Sequence, residues 1–174
     1  MHKIEKMIAI FKELKFTPAI DEFQDRLISQ KVNCLLNLSG IKTGYECSLY
    51  LRGPYSRDLA DALFKNKDHV EALQTSVSLD TNEIQKIKEL KSIFDHNASH
   101  LEIGSTYAYL TVREGIPPLE AMRKVKSMKS FFTEAQIAVG VSKAKEFLSK
   151  PSKELVDEVI AESEMWKNAQ SHNT

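Results

Sequence analysis

Ile4, Met7, Ile8, Phe11 and Leu14 recur at the three- and four-residue intervals of one helical face, so the chain opens on an amphipathic helix. Thr17-Pro18 predicts the start of the next helix. Threonine would serve as N-cap, with proline at the first helical position, where its missing N–H costs nothing. Ile20, Phe23, Leu27, Cys34, Leu35 and Leu38 carry the apolar stripe of this second helix, and Ser39-Gly40 ends it. The period then drops to two. Tyr45, Cys47, Leu49 and Leu51 alternate with Glu46, Ser48, Tyr50 and Arg52, which predicts a strand over 45–52. A strand must pair its backbone groups, and the short alternating segment at 76–79, with Val77, Ser78 and Leu79, is the expected partner.

Gly53-Pro54 is read as the break that ends the strand. Ser56 is placed to cap a helix bearing Leu59, Ala60, Leu63 and Phe64, with Asp58 facing the positive end of its dipole. Asp80 and Glu83 stand at capping-box spacing ahead of Ile84, Ile87, Leu90, Ile93 and Phe94. A boundary at Asn97 precedes a helix through Leu101, Ile103, Tyr107 and Leu110, which Gly115-Ile116-Pro117-Pro118 closes. A short helix with Leu119, Met122 and Val125 follows. Thr133 and Gln136 form a second capping-box pair before Ile137, Val141, Ala144 and Phe147. After Pro151, Leu155, Val156, Val159, Ile160 and Trp166 outline a last helix. The pattern predicts a mainly α fold: one multi-helix bundle over residues 1–170 with a small β-sheet, and a frayed tail at 171–174. No repeat or low-complexity linker divides it.

Composition narrows the function classes. Lys plus Arg and Asp plus Glu number 24 each, so the net charge is zero. A surface that is basic all over is thereby excluded, though a local basic patch is not. The 174 residues suit one domain with a true core. Met1-His2-Lys3-Ile4-Glu5-Lys6 enters the amphipathic pattern without an apolar leader, and no apolar run is long enough to span a bilayer. A cytoplasmic location is therefore expected, with no membrane association. Cys34 and Cys47 are expected there as reduced, buried thiols on apolar faces.

Familiar catalytic signatures are absent: no Gly-x-Ser-x-Gly, no phosphate-binding glycine loop, no His-Glu-x-x-His and no Cys-x-x-Cys. His96 and His100 are four apart, with Asp95 and Glu102 nearby, but the boundary at Asn97-Ala98-Ser99 separates them. No metal site and no cofactor are expected. Arg123, Lys124, Lys126 and Lys129 form a basic cluster that reads first as a solvated helix face and second as an anion- or nucleic-acid-binding patch. Glu102 sits among apolar residues ahead of Ser105, Tyr107 and Tyr109. It is expected to pair with Arg52 or Arg57 as a structural contact.

The most specific feature is Arg52-Gly53-Pro54-Tyr55-Ser56-Arg57. Glycine permits unusual backbone angles, proline fixes the turn, and serine caps the helix. The first reading is a strand-to-helix corner with Tyr55 packed on the core. The second is a binding corner, in which the free N–H groups of the helix start and two flanking arginines receive an anion or carboxylate.

The run Tyr50-Leu51-Arg52-Gly53-Pro54-Tyr55-Ser56, followed by Asp58-Leu59, resembles the YwgA-like family of uncharacterised bacterial and archaeal proteins. Leu101-Glu102-Ile103-Gly104-Ser105-Thr106-Tyr107-Ala108-Tyr109-Leu110 is similar to that family's second recurrent segment, and Ala121–Phe147 is similar in layout. More distantly, the strand–Gly-Pro–helix corner resembles the Panacea domain, found in antitoxins and in an adaptor that delivers its toxin to a protease. The resemblance implies a non-enzymatic interaction module, antitoxin-like or regulatory, with a protein partner. Its binding surface would combine the corner with Glu102 and Tyr107. Two alternatives stand beside it: a winged-helix-like nucleic-acid-binding regulator, and an enzyme with an unrecognised site. The resemblance supplies no catalytic residue.

Overall fold

The computed structural model describes residues 2–149, 157, 160–165 and 168. Helix α1 (His2–Leu14) leads to α2 (Phe23–Leu38), a hairpin of β1 (Ser48–Tyr50) and β2 (Gly53–Tyr55), and α3 (Arg57–Lys65). Next come α4 (Lys67–Glu71), α5 (Thr81–Phe94) and α6 (Ala98–Ala108), which runs into a π-helical turn at Tyr109–Arg113. Helices α7 (Pro118–Met128) and α8 (Glu134–Ser149) complete the described bundle. The fold is mainly helical with a two-stranded antiparallel sheet, and no helix among the described residues is long and apolar enough to cross a membrane.

Local signals account for most of these boundaries. Ser56 Oγ accepts from the Leu59 N–H, Asp80 and Glu83 form a reciprocal capping box, and Asn97 Oδ1 accepts from the His100 N–H. Thr133 and Gln136 cap α8 reciprocally. Each satisfies donors that the first helical turn leaves without an intrahelical partner. Gly40, with φ +97°, ends α2 as expected.

Helix α6 is the centre. Every residue from Leu101 to Ala108 is buried, so beyond its half-buried first turn the helix has no solvent face. It packs on α8, α2, α7 and the hairpin. Its contact with α8 is close because a Cβ at Gly140 would stand 2.5 Å from Ile103 Cγ2.

Three expectations are corrected. Helix α2 starts at Phe23, not at Thr17-Pro18. Side chains hold the intervening loop: Asp25 accepts from the Ala19 N–H, Glu71 accepts from the Ile20 N–H, and Arg26 donates to the Ile20 and Asp21 carbonyls. Such bonds compete with the helical ladder.

The strand expected over 45–52 is shorter, and its partner is not 76–79. It pairs with the residues just after it, with Ser48 opposite Tyr55, Leu49 opposite Pro54 and Tyr50 opposite Gly53. Gly53 thus opens the return strand instead of ending a strand. Leu51, expected on the apolar face, stands at the hairpin tip and is 93% exposed. At Tyr45 side chains stand in for a partner strand: Asn33 and Asn37 of α2 both donate to its carbonyl, and its N–H donates to Thr43 Oγ1.

Cys34 and Cys47 are joined as a disulfide, with Cα atoms 5.9 Å apart. They are not the free thiols expected. The apolar helix stripe and the inward face of 45–47 place both sulfurs against each other. Thiol titration of the unfolded, unreduced protein should return no free thiol; a return of two would contradict the bridge. Of the last expected helix, Leu155, Val156, Val159 and Trp166 lie outside the described residues, as does the tail at 171–174, while Ile160 is exposed.

Candidate functional site

The corner at 52–56 sits on a buried polar layer supplied by α2 and α6. Helix α2 is buried without interruption from Ile28 to Leu36, although Ser29, Gln30, Lys31 and Asn33 are polar. Gln30 clasps the corner twice: its Nε2 donates to the Ser56 carbonyl at 2.9 Å, and the Ser56 N–H donates to its Oε1 at 2.8 Å. Lys31 Nζ donates to the carbonyls of Arg52 and Pro54, each at 2.8 Å. Gly53, with φ +90°, lies so close to α6 that a Cβ there would be 2.4 Å from Thr106 Oγ1. Only glycine meets both conditions.

Behind Lys31 is a buried ion pair. Lys129 Nζ donates to Glu102 Oε1 at 2.7 Å, and both residues are interior. Glu102 therefore pairs with Lys129, not with Arg52 or Arg57 as expected. Three charges share this interior: two amines and one carboxylate. Burial, then the charge of Lys129, lowers the Lys31 amine from 10.5 to about 7, while Glu102 acts in the opposite sense.

Tyr107, like Glu102, lies apart from the corner's surface. Tyr107 is buried, with Lys145 Nζ of α8 5.8 Å from its ring centre, and burial raises its phenol. Helix α6 lies beneath the corner and shares none of its exposed surface. Of the basic cluster, Arg123, Lys124 and Lys126 are exposed, but Lys129 is fully buried. A cationic face of four is thus reduced to three, and Lys126 lies 3.8 Å from Glu134. His96 and His100 fall on either side of the α5–α6 boundary, with Asp95 and His96 both left-handed. Among the described residues no three His, Cys, Asp or Glu groups gather as a metal site.

What the corner presents outward is aromatic and cationic. Phe23, Tyr50 and Phe64 are 53%, 53% and 54% exposed. The Arg52 guanidinium lies 4.9 Å from the Phe23 ring centre, and Arg26 lies 5.9 and 5.5 Å from those of Phe23 and Phe64. Tyr50 and Tyr55 meet edge to face at 5.5 Å. Between α2 and α3 a pocket of about 180 Å³ opens, lined by Phe23, Leu27, Tyr55, Leu63, Phe64 and neighbours. Among the described residues no carboxylate lies within ion-pair distance of Arg26, Arg52 or Arg57. The acids of α3, Asp58 and Asp61, line a different, open depression with Lys3 and Tyr45.

Sequence reasoning did not find Phe23, Arg26 and Phe64 as surface residues. Phe23 and Phe64 fit apolar helical stripes, and nothing in their spacing marks them as exposed. No family model, no curated protein and no solved structure matches the chain.

Proposed function

We propose that this chain is a non-enzymatic protein-binding module whose contact surface is the aromatic–arginine face around the hairpin, in line with an antitoxin-like or regulatory role. The supporting observation is the exposure of Phe23, Tyr50, Leu51 and Phe64 beside arginines that no carboxylate among the described residues pairs with. Aromatic residues and arginine are the groups that concentrate binding energy at protein interfaces, and lone exposed apolar residues need no such neighbours. Glu102 offers no general acid or base at the surface, since its carboxylate is committed to Lys129 in the interior.

The nucleic-acid reading draws on Arg123, Lys124 and Lys126, and it loses Lys129 to the core. Protein binding is the stronger reading on these grounds. Affinity isolation from the source organism tests it, with the unaltered chain and the Arg52→Glu, Phe64→Ala variant run in parallel. A protein partner recovered with the first and lost with the second is expected. Equal recovery by both, or recovery of nucleic acid alone, would sink the proposal.

A further inference from the structure

We infer that the pocket between α2 and α3 seats one large apolar side chain from a short acidic segment of the partner, and that Arg52 and Arg57 hold carboxylates flanking that anchor. The inference rests on the protein-binding reading and names its ligand chemistry.

The size of the pocket points to a single side chain. Its volume of about 180 Å³ falls below the roughly 300–1,000 Å³ of small-molecule sites. Its lining selects an apolar group. Leu27, Ala60 and Leu63 are hydrocarbon, and Phe23 and Phe64 form walls. Gln30, Arg26 and the Tyr55 phenol are the polar members of the lining; both ends of the Gln30 amide are already bonded to the Ser56 backbone, and Arg26 Nη1 to the Ile20 and Asp21 carbonyls. The Gln30 amide therefore asks for no polar ligand atom, and the rest of the lining is mostly hydrocarbon and aromatic ring.

The rim selects negative charge. Arg26 Nη1 is held by the Ile20 and Asp21 carbonyls, so Arg26 serves mainly as a wall between two rings. Arg52 is exposed and rests on Phe23, and Arg57 is exposed at the start of α3, three and seven residues ahead of the pocket-lining Ala60 and Phe64 and so on their face of the helix. Neither guanidinium is bonded to an acceptor among the described residues. A planar fork of donors beside an apolar socket matches a carboxylate next to an apolar residue.

A single nucleic-acid strand fits less well. It needs open ring faces for stacking and a continuous cationic track. Here Asp21, Glu22 and Asp25 border the start of α2 beside Phe23 and interrupt any cationic track. A peptide can place two carboxylates and leave the acidic border empty; a phosphate backbone cannot.

The test is selection of a phage-displayed library of random short peptides on the full chain, followed by titration of the enriched peptides by fluorescence anisotropy. Enriched peptides should share a Leu, Ile, Phe or Trp with Asp or Glu within a few positions. Their affinity should fall about tenfold or more in Phe64→Ala and in Arg52→Glu, and should weaken as salt rises. Both substituted side chains are exposed, so unchanged circular dichroism is expected. Peptides without the anchor or the acid, equal binding to the variants, or no enrichment would each overturn the inference. So would tighter binding of a labelled oligothymidylate than of any peptide. The failures are separable. A native partner lost with the double variant, with no such peptide enriched, leaves the protein-binding reading standing and removes only this ligand chemistry. Enriched peptides without a native partner do the reverse.

Discussion

Glu102→Gln should destabilise the protein by about 3–5 kcal/mol, because it leaves two buried amines facing no carboxylate. Lys129 loses its 2.7 Å partner, and Lys31 loses the one charge that favours its protonated form. Lys129→Met should cost less. It leaves Glu102 facing Lys31, one charge against one, and removes a cation that pushes the Lys31 amine down. Urea denaturation midpoints compare the two; a larger loss in Lys129→Met would contradict this ordering.

The same cluster sets a pH slope. Burial lowers the Lys31 amine to about 7 in the folded chain, against 10.5 for an ordinary lysine amine. Between these values the unfolded chain binds more protons, so stability should rise with pH by up to about 1.4 kcal/mol per unit. Below 7 the amine is charged in both states and adds nothing to the slope. Near and above 10 the buried phenols of Tyr45 and Tyr107, whose titration is raised, work in the opposite direction. Lys31→Met should flatten the rise from 7 upward.

Gly53→Ala is the second large effect, at roughly 2–5 kcal/mol. One part is the left-handed backbone at φ +90°, which costs a residue with a Cβ roughly 1–2 kcal/mol. The other is overpacking against Thr106 Oγ1, typically about 1–3 kcal/mol. Pairing it with Thr106→Ala separates the two. The double variant should recover the packing part and keep the backbone part, so the cycle should show a favourable coupling. Additive losses would mean that the corner does not rest on α6 as described.

Much of the fold was legible because it is written in local chemistry. The caps at Ser56, Asp80 and Thr133 need only neighbours three residues away, and all three form; the boundary at Asn97 is a fourth cap of the same kind. Parts that depend on distant groups were not. The register of 45–52 depended on Asn33 and Asn37 replacing a partner strand. Gln30, Lys31 and Asn33 interrupt the apolar period of α2 and would ordinarily mark its wet face; Gln30 and Lys31 are buried under the corner at 52–56, and Asn33 under the segment 43–47. Lys129 belonged to a basic run by sequence and to Glu102 in space. The one available sign was Glu102 itself, a charge inside the otherwise uncharged run 101–110, which required a buried cation from somewhere.

The corner itself was legible as a turn but not as a mount. Gln30 and Lys31 grip it only through main-chain atoms: the carbonyls of Arg52, Pro54 and Ser56 and the N–H of Ser56. Arg52 therefore leads two lives, its carbonyl oxygen fixed to the frame and its guanidinium outside it. Leu51, Arg52 and Arg57 can be exchanged for other residues without loosening a single one of those bonds. A lineage could rewrite what the tip displays, residue by residue, while the scaffold that holds it goes on folding as before.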